Sequence, residues 1–483
     1  MSPLRHLLYT LVFALGCNGV VAQSLGEPVV ADSLLQDTVA VLSFAEYMQM
    51  VRDHHPVMRR SQLITRQADF GVREARGAFD PYAFANIDEK LFKGTEYYNY
   101  RTAGLKLPTW YGIELKAQYE DNKGVYLNPE SLTPLESGLF SAGLSVTLGQ
   151  GLFIDERRAG LRRAQILQDL SLAEQRALVN EVLLEAGEAY WNWYAAYRQV
   201  LVFEEGLQLA QVRNEAVIRG AELGDRPMVD TLEATIQVQN RQLSLTTAQL
   251  EYQNAQAYLS VYLWSEGLVP LELTEAARPE LDGLSITEPA VVNEWLLMAD
   301  TLIQQHPEYL LAQGKIAQIE IDRRLKLEQL KPILNLNYNL LTEGVSTEVR
   351  DTYTTNNYKW GVEFAFPLFL RKARGGVQVA NLKLEGAQFD LVNKQAGLLA
   401  KIEASSNKVI VTQDQVEQYR QIVQNYLRLV NAEQRLFRAG ESSLFLVNSR
   451  EQSYISAQLK LIETIVKNQV AQLEAQFALG RLQ

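Results

Sequence analysis

The chain is poor in the residues that do chemistry. It has one cysteine, Cys17, so no intramolecular disulfide can form. Of its four histidines only His54, His55 and His306 lie beyond the first 22 residues. No Gly-rich phosphate loop, G-x-S-x-G or H-E-x-x-H occurs. No nucleophile–base constellation can be named, so a hydrolase has no support, and neither enzyme activity nor a cofactor is expected. His54-His55 has a metal-ligand residue type. However, "HHPVMRRSQ" and "QHPEYLLAQ" place His55 and His306 before a proline in similar surroundings. That pattern reads as a bend written twice rather than a metal site.

Positive charge is short as well. Lys plus Arg number 46 against 57 Asp plus Glu, which argues against nucleic acid as a partner. Past the N-terminus no run of ~18 or more apolar residues offers a transmembrane helix. A membrane-spanning reading therefore requires a closed β-barrel, the other structure that pairs all of its own backbone. The N-terminus itself reads as a signal peptide over residues 1–22. Arg5 and His6 precede the apolar run Leu7 to Gly16, and Val20-Val21-Ala22 fits a cleavage site. A lipoprotein signal ending at Cys17 ("ALGC") is the second reading.

Proline is missing between Leu135 and Arg226 and again after Pro367. Each gap holds one long helix, at about 156–222 and 372–438. At 1.5 Å rise per residue each is roughly 100 Å long, too long for an ordinary globular core. Two apolar tracks run along the first. One is Ile166, Leu170, Ala173, Ala177, Leu184, Gly187, Trp191 and Tyr194, interrupted by Asn180; the other is Val179, Val182, Ala186, Ala189, Trp193, Ala196 and Val200. Two seams imply neighbours on both sides, as in a wall of helices, whereas a two-stranded coiled coil needs one. Shorter helical stretches lie near 44–78, 228–263, 291–330 and 442–479.

What is present is present twice. "LSVTLGQGLFIDERRAGLRRAQ" and "VEFAFPLFLRKARGGVQVANLK" place Leu152-Phe153 against Leu368-Phe369, an offset of 216 (368 − 152). The turns "LGDRPMVDTLEA" and "AGESSLFLVNSR" place Gly224 against Gly440, again 216 (440 − 224). The expected organisation is a first repeat at 23–263, a proline-bearing linker at 264–290 and a second repeat at 291–483. Alternating segments at 80–92, 138–148, 332–341 and 357–366 read as strands, near the ~9–11 residues of a tilted membrane strand. A further pair within 101–121, turned at Pro108-Thr109, either joins them or forms a hairpin outside the ring. Trp110, Tyr111 and Trp360 read as interfacial aromatics or as filling of a soluble sheet. Two to four strands per half cannot close a barrel, so several chains must pool their strands.

With these residues assembled, the chain resembles the TolC-like outer-membrane efflux proteins. The exported N-terminus, the two His-Pro bends, the "QGLF…RRAGLRRA" and "FPLFLRKARGGVQVA" junctions and the two Gly turns carry the resemblance in doubled order. It implies a mainly α chain with a transmembrane β segment. Three copies would form one β-barrel in the outer membrane of a Gram-negative bacterium and one long α-helical barrel through the periplasm. The implied partners are a periplasmic adaptor and an inner-membrane transporter, and the implied function is a passive exit duct. The family's four strands per chain differ from the extra pair here. The resemblance makes Leu152, Phe153, Pro367, Leu368 and Phe369 the strand-to-helix junctions. It makes Gly224, Asp230, Leu232, Ala234, Gly440, Ser443 and Leu446 the periplasmic tips, with Asp225, Asp230 and Glu233 as candidate pore acids. The glycines also read as helix C-caps and the aspartates as N-terminal charges. An exported or lipid-tethered coiled-coil scaffold without a pore is the alternative; it leaves the strands unexplained.

Overall fold

Both proline-free stretches are single helices. The computed structural model describes residues 41–134, 137–274, 276–282, 284, 289–343 and 356–482. The signal-peptide and Cys17 readings lie outside these residues. So do parts of the 264–290 linker and most of the polar stretch after Thr342. In chain order the first half contains β1 (Val41–Leu42), α1 (Phe44–His54), α2 (Pro56–Gly77), β2 (Tyr82–Phe92), β3 (Thr95–Pro108), β4 (Ile113–Lys123), β5 (Leu139–Thr147), α3 (Glu156–Glu222) and α4 (Met228–Ser260). Three two-residue strands follow: β6 (Trp264–Ser265), β7 (Val269–Pro270) and β8 (Arg278–Pro279). Then come α5 (Pro289–Leu297), α6 (Ala299–Gln304), α7 (Pro307–Glu328), β9 (Ile333–Thr342), β10 (Tyr358–Ala365), α8 (Arg371–Arg438) and α9 (Leu444–Ala478).

The helices form a wall. α3, 67 residues long, packs against α2 and α4 on one side and α7 and α9 on the other, while α8, 68 residues long, packs on the far side of α7 and α9. Both apolar tracks read from the sequence are in use. Val200 and Leu207 meet Leu245 and Ala248 of α4. On the other track small residues set the approach. A Cβ on Gly187 would stand 2.5 Å from a methyl of Leu473 on α9, and one on Gly314 of α7 would overlap Leu170 of α3. At mid-height Tyr190, Trp191, Trp193 and Tyr194 of α3 fill the main core with Tyr47 and Leu259; burial of such aromatics dominates core energetics.

The two His-Pro bends have one geometry. His55 and His306 sit at φ −62°, ψ 134° and φ −67°, ψ 132°, just before the prolines that open α2 and α7. Each imidazole Nδ1 caps its helix, accepting from the Val57 N–H at 3.3 Å and the Glu308 N–H at 3.2 Å. The side chains are N-caps in structural use.

All six long strands make one antiparallel sheet, in the order β10-β9-β5-β4-β3-β2. The pair within 101–121 therefore joins the sheet, between β2 and β5. Strands β3 and β4 extend that stretch to Thr95–Lys123, and their turn spans Thr109 to Gly112. Among the described residues no helix is long and apolar enough to cross a membrane.

The histidine caps require a neutral acceptor nitrogen. Burial holds both imidazoles below their ordinary value of 6.5; at His306 the Glu308 carboxylate and the Phe477 carbonyl oppose this more weakly. As pH falls, the unfolded chain takes up these protons first. Their contribution is thus complete above about pH 6.5 and is lost as pH drops through that value toward the folded-state values. Thermal unfolding from pH 8 to 5 should show this decline. The double variant His55→Asn, His306→Asn, which keeps a capping acceptor without titrating, should flatten it.

Candidate functional site

The sheet has two unlike faces. Pairing registers place Leu107, Leu115, Leu144, Tyr338 and Trp360 side by side across β3, β4, β5, β9 and β10. The rows beside them hold Ile113, Val146, Leu336 and Val362, and Leu105, Ala117, Ala142, Leu340 and Tyr358. The opposite face is largely polar, with Lys106, Lys116, Gln118, Ser141, Asn337, Asn339 and Lys359. These line a hollow, so this face is concave. Burial is inverted relative to a soluble sheet. Along β3 the polar-face residues Thr102, Gly104 and Lys106 are half-sheltered while Ala103, Leu105 and Leu107 are exposed. Leu105 is 51% exposed, Trp360 60% and Phe364 66%. A contiguous apolar face of this extent marks contact with lipid or another apolar surface. Tyr111 and Trp360 are exposed, and Trp110 is partly exposed and packs on Phe79 with ring centroids 5.3 Å apart.

At the opposite end of the wall, α3 turns into α4 and α8 into α9. Gly224 and Gly440 stand at φ +79° and +80°, a region open to glycine without strain. Asp225 N–H donates to the Gly220 carbonyl at 2.9 Å and Glu441 N–H to the Leu436 carbonyl at 2.9 Å. Both turns are thus Schellman caps. Asp230 lies in the first turn of α4, where its charge suits the helix N-terminus. Ser443 caps α9, accepting from the Leu446 N–H at 3.3 Å. Ala234 is buried with Val217 and Leu444, and the Arg226 guanidinium stacks 4.0 Å from the Phe437 ring, joining the two turns. Leu232 is exposed, as are Leu223, Met228, Val229 and Phe445, and Leu446 is partly so. Glu233 is turned into the wall, accepting from Asn448 Nδ2 at 3.0 Å. Arg213 holds Asn448 at 3.0 Å and pairs with buried Glu451, while Arg241 donates to Gln452 at 2.9 Å. Burial pushes the Arg241 guanidinium down, with Glu451 opposing and Arg213 adding to it. Asp225 is solvent-exposed.

Residues 112–263 match the family model described as outer membrane efflux protein. The fold is that of solved outer-membrane channels. The CmeC channel of Campylobacter jejuni superimposes with TM-score 0.63 at 13% identity, covering 90% of this chain and 85% of that one. VceC of Vibrio cholerae gives 0.62 at 14%, covering 90% and 95%. The open MtrE channel of Neisseria gonorrhoeae gives 0.60 at 12%, covering 95% and 98%. No curated protein matches the chain. This chain resembles the TolC-like outer-membrane efflux proteins, which are channels and not enzymes.

The two strand-to-helix junctions are unlike each other. In the first, Leu152 lends its carbonyl to Arg158 at 2.9 Å, and Arg158 also binds Asp155 at 3.1 Å and the Gly151 carbonyl. Phe153 N–H donates to Glu328 at 3.2 Å, and Lys331 stacks 4.1 Å from the Phe153 ring. In the second, Leu368 and Phe369 are exposed between Pro367 and Leu370, which takes the left-handed conformation at φ +48° ahead of α8. Sequence reading missed the lysines of the concave face and the Arg213–Glu451 pair. The alternations Leu105-Lys106-Leu107 and Leu115-Lys116-Ala117 signalled the first. Nothing local signalled the second, because its partners are 238 residues apart.

A charge on the apolar face tests its solvent. Val362→Lys should block stable membrane assembly, at a cost of about 2–4 kcal/mol if the position faces the lipid midplane. Glu363→Lys, on the concave face, should assemble. Heat-modifiability on gels and retention in washed outer membranes report both; equal assembly of the two variants would remove the lipid assignment.

Proposed function

We propose that this protein is a passive outer-membrane exit duct, working with a periplasmic adaptor and an inner-membrane transporter. The observation that carries this reading is the six-strand sheet, apolar on its exposed face and polar on its concave one, at the end of a wall of helices. Its two edge strands, β10 and β2, have no partner on their outer sides within the sheet. Such edges are not tolerated in lipid, so further copies must pair with them. Successive strands alternate in direction, so β2 meets β10 of a neighbouring copy antiparallel. Three chains would pool eighteen strands (three times six), enough for a water-filled lumen.

The helical wall has matching open edges. On α8, Val379, Leu382, Phe389 and Val392 are exposed at heptad-like spacing, and Leu63, Phe70, Leu243 and Leu250 are exposed on α2 and α4. Closing three walls edge to edge would bury both sets and make the α-helical barrel. The two halves, 23–263 and 291–483 about the 264–290 linker, are then copies of one unit. The 216-residue offset shared by the two junctions and the two turns supports this. The exposed apolar residues around Gly224, Leu232, Gly440 and Leu446 are the proposed adaptor contact. Asp225 and Asp230 are the proposed pore acids. Glu233, held by Asn448, would act on closure rather than on passing ions.

Electron microscopy of the protein in detergent should show a three-fold particle with a hollow stalk well over 100 Å long, given the ~100 Å helices and the sheet beyond them. A solid rod or a particle without three-fold symmetry would instead support the scaffold. In planar bilayers, Asp225→Ala with Asp230→Ala should weaken cation preference at low salt and less so at high salt. Unchanged ion preference would sink the assignment of these acids.

A further inference from the structure

One lateral row of the concave face is cationic. From β2 to β10 the registers align Tyr82, Lys106, Lys116, Gly143, Asn339 and Lys359, each opposite the next. Three of the six positions in this row are lysine, in a chain whose net charge is −11. Lys106 and Lys116 stand directly opposite, a like-charge pairing that costs stability in a sheet. Gly143, beside Lys116, adds no side chain to the row. A Cβ there would overlap the Tyr338 carbonyl oxygen. The result is a hollow of about 440 Å³ opening on the lysines.

Of the acids on this face, Glu114 is offset by Arg157 from outside the row, while Glu120 and Glu363, bonded only to neutral amides, keep their charge and stand two same-face rows from the lysines on either side. Glu114 lies 4.0 Å from Lys106 and 3.5 Å from Arg157. Glu120 accepts from Gln118, and Glu363 accepts from Asn335 at 3.1 Å. Two aromatic rings share the row's β2 end. Lys106 Nζ lies 5.8 Å from the Tyr82 ring and 5.4 Å from Phe84, and Lys116 Nζ lies 5.5 Å from Phe84.

We propose that Lys106, Lys116 and Lys359 form an anion-selecting belt in the barrel wall, and that Phe84 biases it toward organic anions bearing an aromatic ring. The inference rests on the duct reading, in which this face lines the lumen. Two of the lysines belong to the β3–β4 hairpin, so the belt exists only because that hairpin is part of the sheet. In three copies the row becomes a ring of nine lysines (three times three). Low-dielectric walls focus the field of such a ring and raise the local concentration of anions.

The test reads the local potential by thiol chemistry on cells carrying the full chain. Cleavage after Ala22 or lipidation of Cys17 leaves no competing free thiol. With each rate divided by that of the same reagent with a small free thiol, Lys116→Cys should react with anionic methanethiosulfonate ethylsulfonate faster than with its cationic trimethylammonium counterpart, on the order of tenfold at low salt. Adding Lys106→Gln and Lys359→Gln should erase that ratio. Phe84→Leu should slow the aromatic anion p-chloromercuribenzenesulfonate and leave the ethylsulfonate rate unchanged. Equal normalised rates for both charges at a reactive introduced thiol, or a ratio that survives loss of the two lysines, would overturn the belt while leaving the duct intact. An introduced thiol unreactive to every aqueous reagent, in a chain that electron microscopy shows as a three-fold tube, would place this face away from the lumen and overturn it as well. Absence of the three-fold tube overturns the duct reading itself, and the belt with it.

Discussion

Everything in this structure depends on how the backbone hydrogen bonds of one antiparallel sheet are completed. Within the chain, β9, β5, β4 and β3 are paired on both sides, and β10 and β2 on one side only. In water an open edge costs little. Beside an apolar face built from Leu105, Leu144, Leu336 and Phe364, an open edge would stand in lipid, where unpaired amides cost several kcal/mol each. In the duct reading proposed above, the sheet's apolar face and its open edges make one demand, a neighbouring copy that pairs with both.

The helices answer to the same geometry. In that reading, a sheet that closes with other copies needs a wall beneath it that does likewise. α3 is buried on two sides, while α8 keeps an exposed apolar stripe. Close approach inside the wall comes from glycine. At Gly187 and Gly314 the facing leucines occupy the space a Cβ would need, so an alanine there would force those side chains to shift. The Arg158 cluster holds the first junction by binding two backbone carbonyls and Asp155. The second has no such clasp among the described contacts, and turns through Pro367 and the left-handed Leu370.

The far end of the wall combines apolar exposure with a buried polar network. The Gly224 and Gly440 turns are stiff caps, locked to each other by Arg226 on Phe437. Just above them Arg213, Glu233, Asn448 and Glu451 tie α3, α4 and α9 together. A buried pair of this kind is weak evidence for stability, but removing one partner strands the other charge. It ties the helix pairs to one relative register.

By itself the sequence determined the elements. Proline gaps and helical period set α3 and α8 to within a residue or so, because both signals are local and cumulative over many turns. The 216-residue offset and the two glycine turns were equally legible, as was the strand alternation in Ile333–Thr342 and in Tyr358–Ala365. Tertiary structure alone decided three things. It put β3 and β4 inside the sheet, since membership depends on pairing partners that alternation does not name. It turned Glu233 into the wall, because Asn448 lies 215 residues away. And it brought Lys106, Lys116 and Lys359 into one row, because register across successive strand pairs sums geometries that no single stretch of chain records.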